Sequence, residues 1–132
     1  MNSQNKKTGP LILTLFFTLV LILSSEASAE CRTQGRSNFS IPKGYGMDSY
    51  RVSDGGGCGI GYRSGGGTSF TSVKIVDMPT NGTLVQNGAF HFRYKPKRGF
   101  VGEDNFKINI CGDYQGKNGC VTNNYKVKVE SK

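Results

Sequence analysis

The feature that most constrains the fold is a strict alternation of apolar and polar residues in the second half of the chain. Apolar residues recur at every second position in residues 90–94, 106–110 and 125–129, and a shorter run of this kind includes Val73 and Ile75. A period of two is typical of strands with one buried and one solvated face. Residues 48–53 are also predicted to form a short strand.

Composition supports the same fold class. Residues 30–132 contain one leucine, Leu84, and one alanine, Ala89, whereas Val, Ile, Phe, Tyr, Thr and Gly are common. Such a chain lacks the residues that favour helices and has those that favour strands. The full length of 132 residues leaves room for a single domain. The sequence therefore predicts an all-β domain.

Residues 1–29 have the pattern of an export signal. Lys6 and Lys7 precede an apolar run over residues 11–23, and residues 27–29 form an A-x-A cleavage site. As a helix the run spans about 20 Å, short of a bilayer core of about 30 Å, so we expect cleavage and no lasting membrane anchor. Glu30 before Cys31 does not suit lipidation. Export to the periplasm or the outside of the cell is predicted.

All four cysteines follow the predicted cleavage site, so disulfides are expected. Of the three possible pairings we favour Cys111–Cys120, which brackets a polar, turn-like stretch, and Cys31–Cys58, which ties the N-terminus to a glycine-rich segment. Zinc is the competing use of four cysteines. The spacings contain no C-x2-C knuckle, so no metal site is predicted, and no cofactor is expected.

Residues 30–69 form the less patterned, N-terminal part of the predicted domain. Eight glycines fall within residues 55–67. Glycine loses much backbone entropy on ordering, so a mobile loop is expected there unless Cys58 pins it. A phosphate-binding loop is the alternative. It is not favoured, because neither G-x-x-x-x-G-K-[ST] nor G-x-G-x-x-G occurs and no helix pattern follows.

Residues 70–132 carry motifs in a specific order. Residues 79–83 read P-T-N-G-T, residues 94–96 read Y-K-P, and residues 99–106 read G-F-V-G-E-D-N-F. Over roughly residues 70–130 this resembles the bacterial Ig-like, cadherin-like repeat family. The resemblance implies an antiparallel β-sandwich of about seven strands, found in secreted or surface adhesive and scaffold proteins. The chain departs from the family in carrying one copy and a glycine-rich, disulfide-linked first half.

The motif residues have structural roles in this interpretation. The Asn81–Gly82 pair supplies a turn position tolerant of positive φ, and Pro96 ends a strand because it lacks an N–H. Phe100, between Gly99 and Gly102, is placed to plug one end of the core. Asp104 is expected to accept backbone N–H bonds at the corner. Calcium ligation by Asp104 is the alternative, but few carboxylates are nearby to complete such a site.

No catalytic residues are predicted. His91 is the only histidine and lies on the polar side of a predicted strand. No G-x-S-x-G elbow occurs, and the adjacent Glu103 and Asp104 point to opposite faces in an extended chain. The sequence therefore predicts a protein that is not an enzyme.

Basic residues occupy the polar sides of three predicted strands. If those strands share one sheet, their charges form a single cationic face for an anionic envelope component, such as phosphates of lipopolysaccharide, acidic polysaccharide or an acidic protein. The competing interpretation is a solvated face that keeps the domain soluble. Nucleic acid is not expected as a partner, because the chain is exported and no stacking aromatics interleave these residues. The candidate residues are Arg93, Lys95, Lys107, Lys126 and Lys128.

Two functions stay open at this point. The first is a small exported structural or binding module of Ig-like type in the bacterial envelope or outside the cell. The second is a secreted inhibitor-like or toxin-like protein that presents the loop 55–67 to a protein target, since binding residues concentrate on loops of rigid scaffolds. Tyr62 and Arg63 are its candidate contacts, because Tyr and Arg are enriched at interface hot spots.

Overall fold

The computed structural model describes residues 29–132, so the predicted signal segment lies outside the described residues except for Ala29. These residues contain no helix that is long and apolar enough to cross a membrane. The described part of the chain is all-β, as predicted. It contains eight strands: β1 (Cys31–Arg36), β2 (Asp48–Ser53), β3 (Cys58–Gly61), β4 (Thr68–Asp77), β5 (Gly82–Gly88), β6 (His91–Pro96), β7 (Gly102–Tyr114) and β8 (Lys117–Val129).

The strands form two sheets. A five-stranded sheet has the order β1-β2-β8-β7-β4, and a three-stranded sheet has the order β3-β6-β5. All pairs are antiparallel except β2 with β8, which is parallel. The expectation of an antiparallel domain is therefore wrong at this pair. Parallel neighbours need a long connection, and more than sixty residues separate β2 from β8.

The alternating runs place their apolar residues between the two sheets. Phe92 and Tyr94 of β6 face Phe106 of β7 and Tyr125 of β8, and all four side chains are buried. The ring centroids of Tyr94 and Phe106 lie 5.4 Å apart across the sheets, and those of Phe106 and Tyr125 lie 5.0 Å apart. Aliphatic residues of β7 and β8 complete this core. The predicted strand faces are confirmed for β6, β7 and β8.

The second disulfide lies inside a long hairpin. Cys111 and Cys120 are bonded as predicted, but the segment between them is not a loop. The two strands continue to pair beyond the disulfide as far as Tyr114 and Lys117. Only a tight turn remains, where Gln115 and its neighbouring glycine both have positive φ, as the twist of a two-residue hairpin requires.

The first disulfide orders the glycine-rich segment. Cys31 is bonded to Cys58, as predicted, and this joins β1 to β3, the edge strands of the two sheets. The expected loop over residues 55–67 is wrong in part, because Cys58–Gly61 is a strand paired with β6. Cys58 and Ile60 are buried in the core, so burial and the disulfide together offset the entropy that these glycines lose.

Asp104 connects the turn before β5 to both sheets. Its Oδ1 accepts the backbone N–H of Thr80 at 2.9 Å and that of Asn105 at 3.1 Å. Its Oδ2 accepts the N–H of Asn81 at 2.9 Å and the hydroxyl of Tyr94 at 3.0 Å. The side chain is only 2% exposed. The expectation that Asp104 accepts backbone N–H groups at this corner is confirmed.

Gly82, which follows Asn81 at the start of β5, has a different role from the one expected. Gly82 does not have a positive φ in this structure. A Cβ at this position would lie 2.5 Å from a ring carbon of Tyr94 and 2.6 Å from the carbonyl oxygen of Lys95. Glycine is therefore needed for the close approach of β5 to β6. The other motif residues agree with expectation, since Pro96 ends β6 and Phe100 packs against the core.

Replacing Asp104 by asparagine is expected to lower the free energy of unfolding by about 2–4 kcal/mol, because one oxygen then replaces two and an NH2 group faces N–H donors. The measurement is chemical denaturation monitored by circular dichroism. The control is Glu103→Gln, since Glu103 is exposed and makes only a surface ion pair with Lys126. Equal stability losses in the two variants would contradict the role assigned to Asp104.

Candidate functional site between the two sheets

A cleft opens between the sheets where β2 faces β3. It encloses about 340 Å³, within the lower range of ligand pockets. Three arginines line it together with aromatic side chains, and no acidic residue is among its described lining residues. We call it the arginine cleft. Its lining residues are Arg36, Phe39, Met47, Arg51, Ile60, Gly61, Tyr62, Arg63, Phe70 and Tyr125.

Arg51 is the central cation of the arginine cleft. In the parallel ladder it is paired with Val127, a core residue, so its side chain points between the sheets. Its Nη1 donates to the carbonyl oxygen of Gly59 at 2.8 Å, and its guanidinium carbon lies 5.7 Å from the centre of the Tyr125 ring. Its Nε is buried and has no hydrogen-bond partner among residues 29–132.

Arg36 and Arg63 add two exposed cations. Arg36 is the last residue of β1 and pairs with Ser49, which places it on the same side of the sheet as Arg51. Burial lowers the pKa of the Arg51 guanidinium from its ordinary value, and the charge of Arg36 lowers it further. Arginine remains protonated at neutral pH despite such shifts. The arginine cleft therefore holds like charges close together, an arrangement that a bound anion would relieve.

Three aromatic rings form one wall of the arginine cleft. The ring centroids of Phe39, Tyr62 and Phe70 lie between 5.9 and 6.5 Å apart, in edge-on or tilted arrangements. Phe39 and Phe70 are partly exposed, whereas Tyr62 is 6% exposed. The wall can therefore offer apolar surface to the body of a ligand whose charged group reaches Arg51.

A buried polar network supports the base of the arginine cleft. The hydroxyls of Tyr62 and Tyr125 share a hydrogen bond of 2.8 Å, and Asn123 Nδ2 donates to the hydroxyl of Tyr62 at 3.0 Å. The Asn123 Oδ1 accepts the backbone N–H of Met47 at 2.7 Å. Asn123 is fully buried. These bonds fix the ring of Tyr62, so the wall is held in one arrangement by the core itself.

The predicted cationic face is not a single surface. Arg93 and Lys95 belong to β6 in the three-stranded sheet, whereas Lys107, Lys126 and Lys128 belong to β7 and β8 in the other sheet. The outer faces of two packed sheets point in opposite directions, so the condition that the strands share a sheet is wrong. Alternation fixes which side of a strand is polar, but it does not fix which strands become neighbours.

Acidic neighbours also reduce the positive charge on the outer face of the five-stranded sheet. Lys126 Nζ lies 3.8 Å from Glu103, and Lys128 Nζ lies 3.1 Å from Glu130. The pKa of Lys128 is raised by its hydrogen bond to Glu130 and by the charge of that carboxylate. The two outer faces are therefore separate and of mixed charge, at least around these two lysines.

The two predicted loop contacts have different environments. Tyr62 is buried, with its hydroxyl bonded to Tyr125, so it lies in the wall of the arginine cleft and not on a projecting loop. It is buried because β3 pairs with β6 and carries the following residue into the core. Arg63 is exposed and lines the arginine cleft. The sequence thus indicated two members of the site, Tyr62 and Arg63, but as parts of a loop and not of a cleft.

Sequence reasoning missed Arg36, Arg51 and the two phenylalanines of the aromatic wall, Phe39 and Phe70. Hydropathy favours Tyr50 and Val52 as the inward side of β2. Val52 is indeed buried, but it is Ser49, Arg51 and Ser53 that pair with core residues of β8 and so face the space between the sheets. A strand that turns its polar residues inward departs from the usual pattern, and such departures are expected at functional sites. Only the pairing of β2 with β8 reveals it.

Comparison with models of known protein families finds no match for this chain, and comparison with characterised proteins finds none either. Residues 29–132 contain no group of three or more His, Cys, Asp and Glu side chains that could hold a metal ion. His91 lies on the outer face of the three-stranded sheet, where a Cβ on Gly61 would meet its ring at 2.9 Å. It does not line the arginine cleft.

Alkaline pH is expected to destabilise the fold through three tyrosines. Burial raises the pKa of Tyr62, Tyr94 and Tyr125 above the ordinary value of 10.0. Above about pH 10 the unfolded chain loses these protons while the folded chain keeps them, so stability present below that pH declines as pH rises. The expected slope is about 1.4 kcal/mol per pH unit for each tyrosine.

The measurement is the free energy of unfolding between pH 7 and about pH 11.5, obtained from denaturant titrations. The matched variant is Tyr94→Phe, which removes one of the three groups and should reduce the alkaline slope by about one third. If the free energy of unfolding of the wild-type protein does not fall across the alkaline range, these hydroxyls have the same pKa in the folded and the unfolded chain. That result would contradict the prediction.

Proposed function

We propose that this protein is a small exported binding module, not an enzyme, and that it takes an anionic group of its ligand into the arginine cleft. The observation that carries the proposal is the environment of Arg51. A cation held between two sheets normally has a counter-ion, because a buried charge without one is costly. Among residues 29–132, Arg51 has neither an ion pair nor a partner for its Nε.

A carboxylate is the group that this arrangement suits best. The guanidinium presents N–H donors in a planar fork that matches two carboxylate oxygens. Arg51 Nη1 is already used by Gly59 and its Nε is buried, so the ligand carboxylate would approach the guanidinium at Nη2, from the open side of the arginine cleft. Arg36 and Arg63 at the opening supply further donors, and the aromatic wall accommodates the apolar part of the ligand.

Export is supported by the sequence of residues 1–29 and by the two disulfides, which are consistent with an oxidising environment. One contact fits cleavage after Ala29. The backbone nitrogen of Glu30 lies 2.5 Å from Asp54 Oδ1. After cleavage this nitrogen is an ammonium group, and the contact becomes an ion pair between the new N-terminus and Asp54. Periplasm and extracellular space are both compatible with this proposal.

An Ig-like identity is part of the same proposal. Two packed sheets joined around one core fit an Ig-like sandwich, and the corner built on Asp104 and Tyr94 uses the motif residues that resemble the bacterial Ig-like, cadherin-like repeats. In such sandwiches the framework is rigid and recognition is added at particular sites. The arginine cleft is that site here, in place of the inhibitor-like presentation of residues 55–67.

The test is titration calorimetry with glucuronate, a sugar carboxylate, and with glucose as its neutral counterpart. Saturable binding of glucuronate is expected, with no binding of glucose. Arg51→Gln should weaken glucuronate binding at least about tenfold, equivalent to about 1.4 kcal/mol. Arg93→Gln is the control, because Arg93 lies on the outer face of the other sheet.

Circular dichroism shows whether each variant keeps the β-fold, and Arg36→Gln provides a second test on an exposed residue of the cleft. Weaker binding in both cleft variants, at unchanged melting temperature, supports the proposal. Equal losses of glucuronate affinity in Arg51→Gln and Arg93→Gln would mean that binding depends on the net charge of the protein alone. Failure of the wild-type protein to bind glucuronate would contradict a carboxylate site.

A further inference from the structure

A second depression adjoins the arginine cleft on the outer face of the five-stranded sheet. It encloses about 720 Å³, roughly twice the volume of the cleft. We call it the outer groove. It crosses three strands in two rows of paired residues, with Tyr50, Lys126 and Asn105 in one row and Asp48, Asn124 and Lys107 in the other.

The outer groove and the arginine cleft meet at the end of β1. Arg36 lines both depressions. A third, smaller hollow of about 200 Å³ shares Arg36 and Ser37 with the outer groove, and Arg36 and Phe39 with the arginine cleft. Because β1 is an edge strand, no further strand blocks the passage from one face to the other. The three depressions therefore adjoin one another around this edge, and we refer to them together as the path.

Resting on the proposed function of the cleft, we infer that the ligand is an acidic polysaccharide whose terminal uronic acid enters the arginine cleft while the following sugars occupy the outer groove. The path is longer than one sugar ring requires. Neighbouring strands lie about 4.8 Å apart, close to the length of one sugar unit, so successive units can meet successive strands. A polymer thus uses the whole path, whereas a small carboxylate uses one end.

The polar groups of the outer groove favour a sugar chain over other polyanions. Lys107 and Lys126 provide positive charge, while Asn105 and Asn124 provide amide donors and acceptors. Asp48 accepts the amide of Asn124 at 2.8 Å and keeps lone pairs for further donors. Sugar hydroxyls can donate to Asp48, whereas a polyphosphate chain has no donors to offer and polyglutamate has only its backbone N–H groups.

The ion pair between Lys126 and Glu103 in the outer groove does not prevent Lys126 from binding a sugar chain. Lys126 Nζ lies 3.8 Å from Glu103, and both side chains are about half exposed. Exposed pairs of this kind are worth about 0–1 kcal/mol, so a ligand carboxylate can compete for the lysine. Lys107 has no ion pair within the described part of the chain.

The experiment compares oligogalacturonates of one to six units in titration calorimetry at about 0.15 M salt, where weak non-specific attraction is screened. Affinity is expected to rise at least tenfold from the monomer to the tetramer. The double variant Lys107→Ala/Lys126→Ala should remove most of this gain and leave monomer binding unchanged. Lys74→Ala is the control, since Lys74 is exposed on the same sheet but does not line the outer groove.

The outcomes separate the two proposals. If the monomer binds in an Arg51-dependent manner but affinity does not rise with length, the polysaccharide inference fails and the carboxylate cleft stands. If neither monomer nor oligomer binds, the proposed function itself fails. Tighter binding of polyglutamate or polyphosphate than of oligogalacturonate of equal charge would overturn the assignment to a sugar. Melting temperatures of all variants verify that folding is retained.

Discussion

The disulfide between Cys31 and Cys58 is the link on which the arginine cleft depends. It connects the edge strands β1 and β3, one from each sheet. A segment as rich in glycine as residues 55–67 has little side-chain surface with which to hold itself in a sheet. On the chain-entropy account, closing this loop contributes about 3.6 kcal/mol. With β3 held in place, the carbonyl of Gly59 is available to Arg51 and the chain leads Tyr62 into the core.

The strand β2 places polar residues on its inner side, next to this linked edge. Ser49, Arg51 and Ser53 occupy positions where a strand ordinarily places apolar residues. Ser53 is satisfied locally, since its hydroxyl donates to the carbonyl of Gly56 at 2.6 Å. Arg51 is only partly satisfied, by one carbonyl and the face of Tyr125. The fold thus accepts a local electrostatic cost at the position where an anion from outside would reduce it.

Rigid support distinguishes this arrangement from a flexible charged loop. The network of Tyr62, Tyr125 and Asn123 is buried and fully within the core, so the aromatic wall does not need to be ordered by a ligand. Preformed sites of this kind lose less conformational entropy on binding. Asp104 has the corresponding structural role at the β4–β5 corner, where it accepts four hydrogen bonds.

Local patterns in the sequence predicted the strands well, and non-local pairing accounts for what they missed. The alternation in β6, β7 and β8 identified the buried rings, and the favoured cysteine pairs are both present. The cationic face was wrong, because alternation does not show that β6 joins a different sheet from β7 and β8. Arg51 was missed because only the parallel pairing with β8 turns it inward, and Tyr62 was misplaced because β3 was expected to be a loop.

The most direct test of the account observes the Arg51 guanidinium itself by NMR, through its Nε–H resonance in protein labelled with nitrogen-15. During a titration with glucuronate, we expect a large, saturable shift of this resonance and no shift of the Nε–H resonance of Arg93, which lies on the outer face of the other sheet. Arg51→Lys provides the assignment. Shifts of equal size at Arg51 and Arg93, or no shift at Arg51 while the ligand binds, would contradict a specific anion site between the sheets.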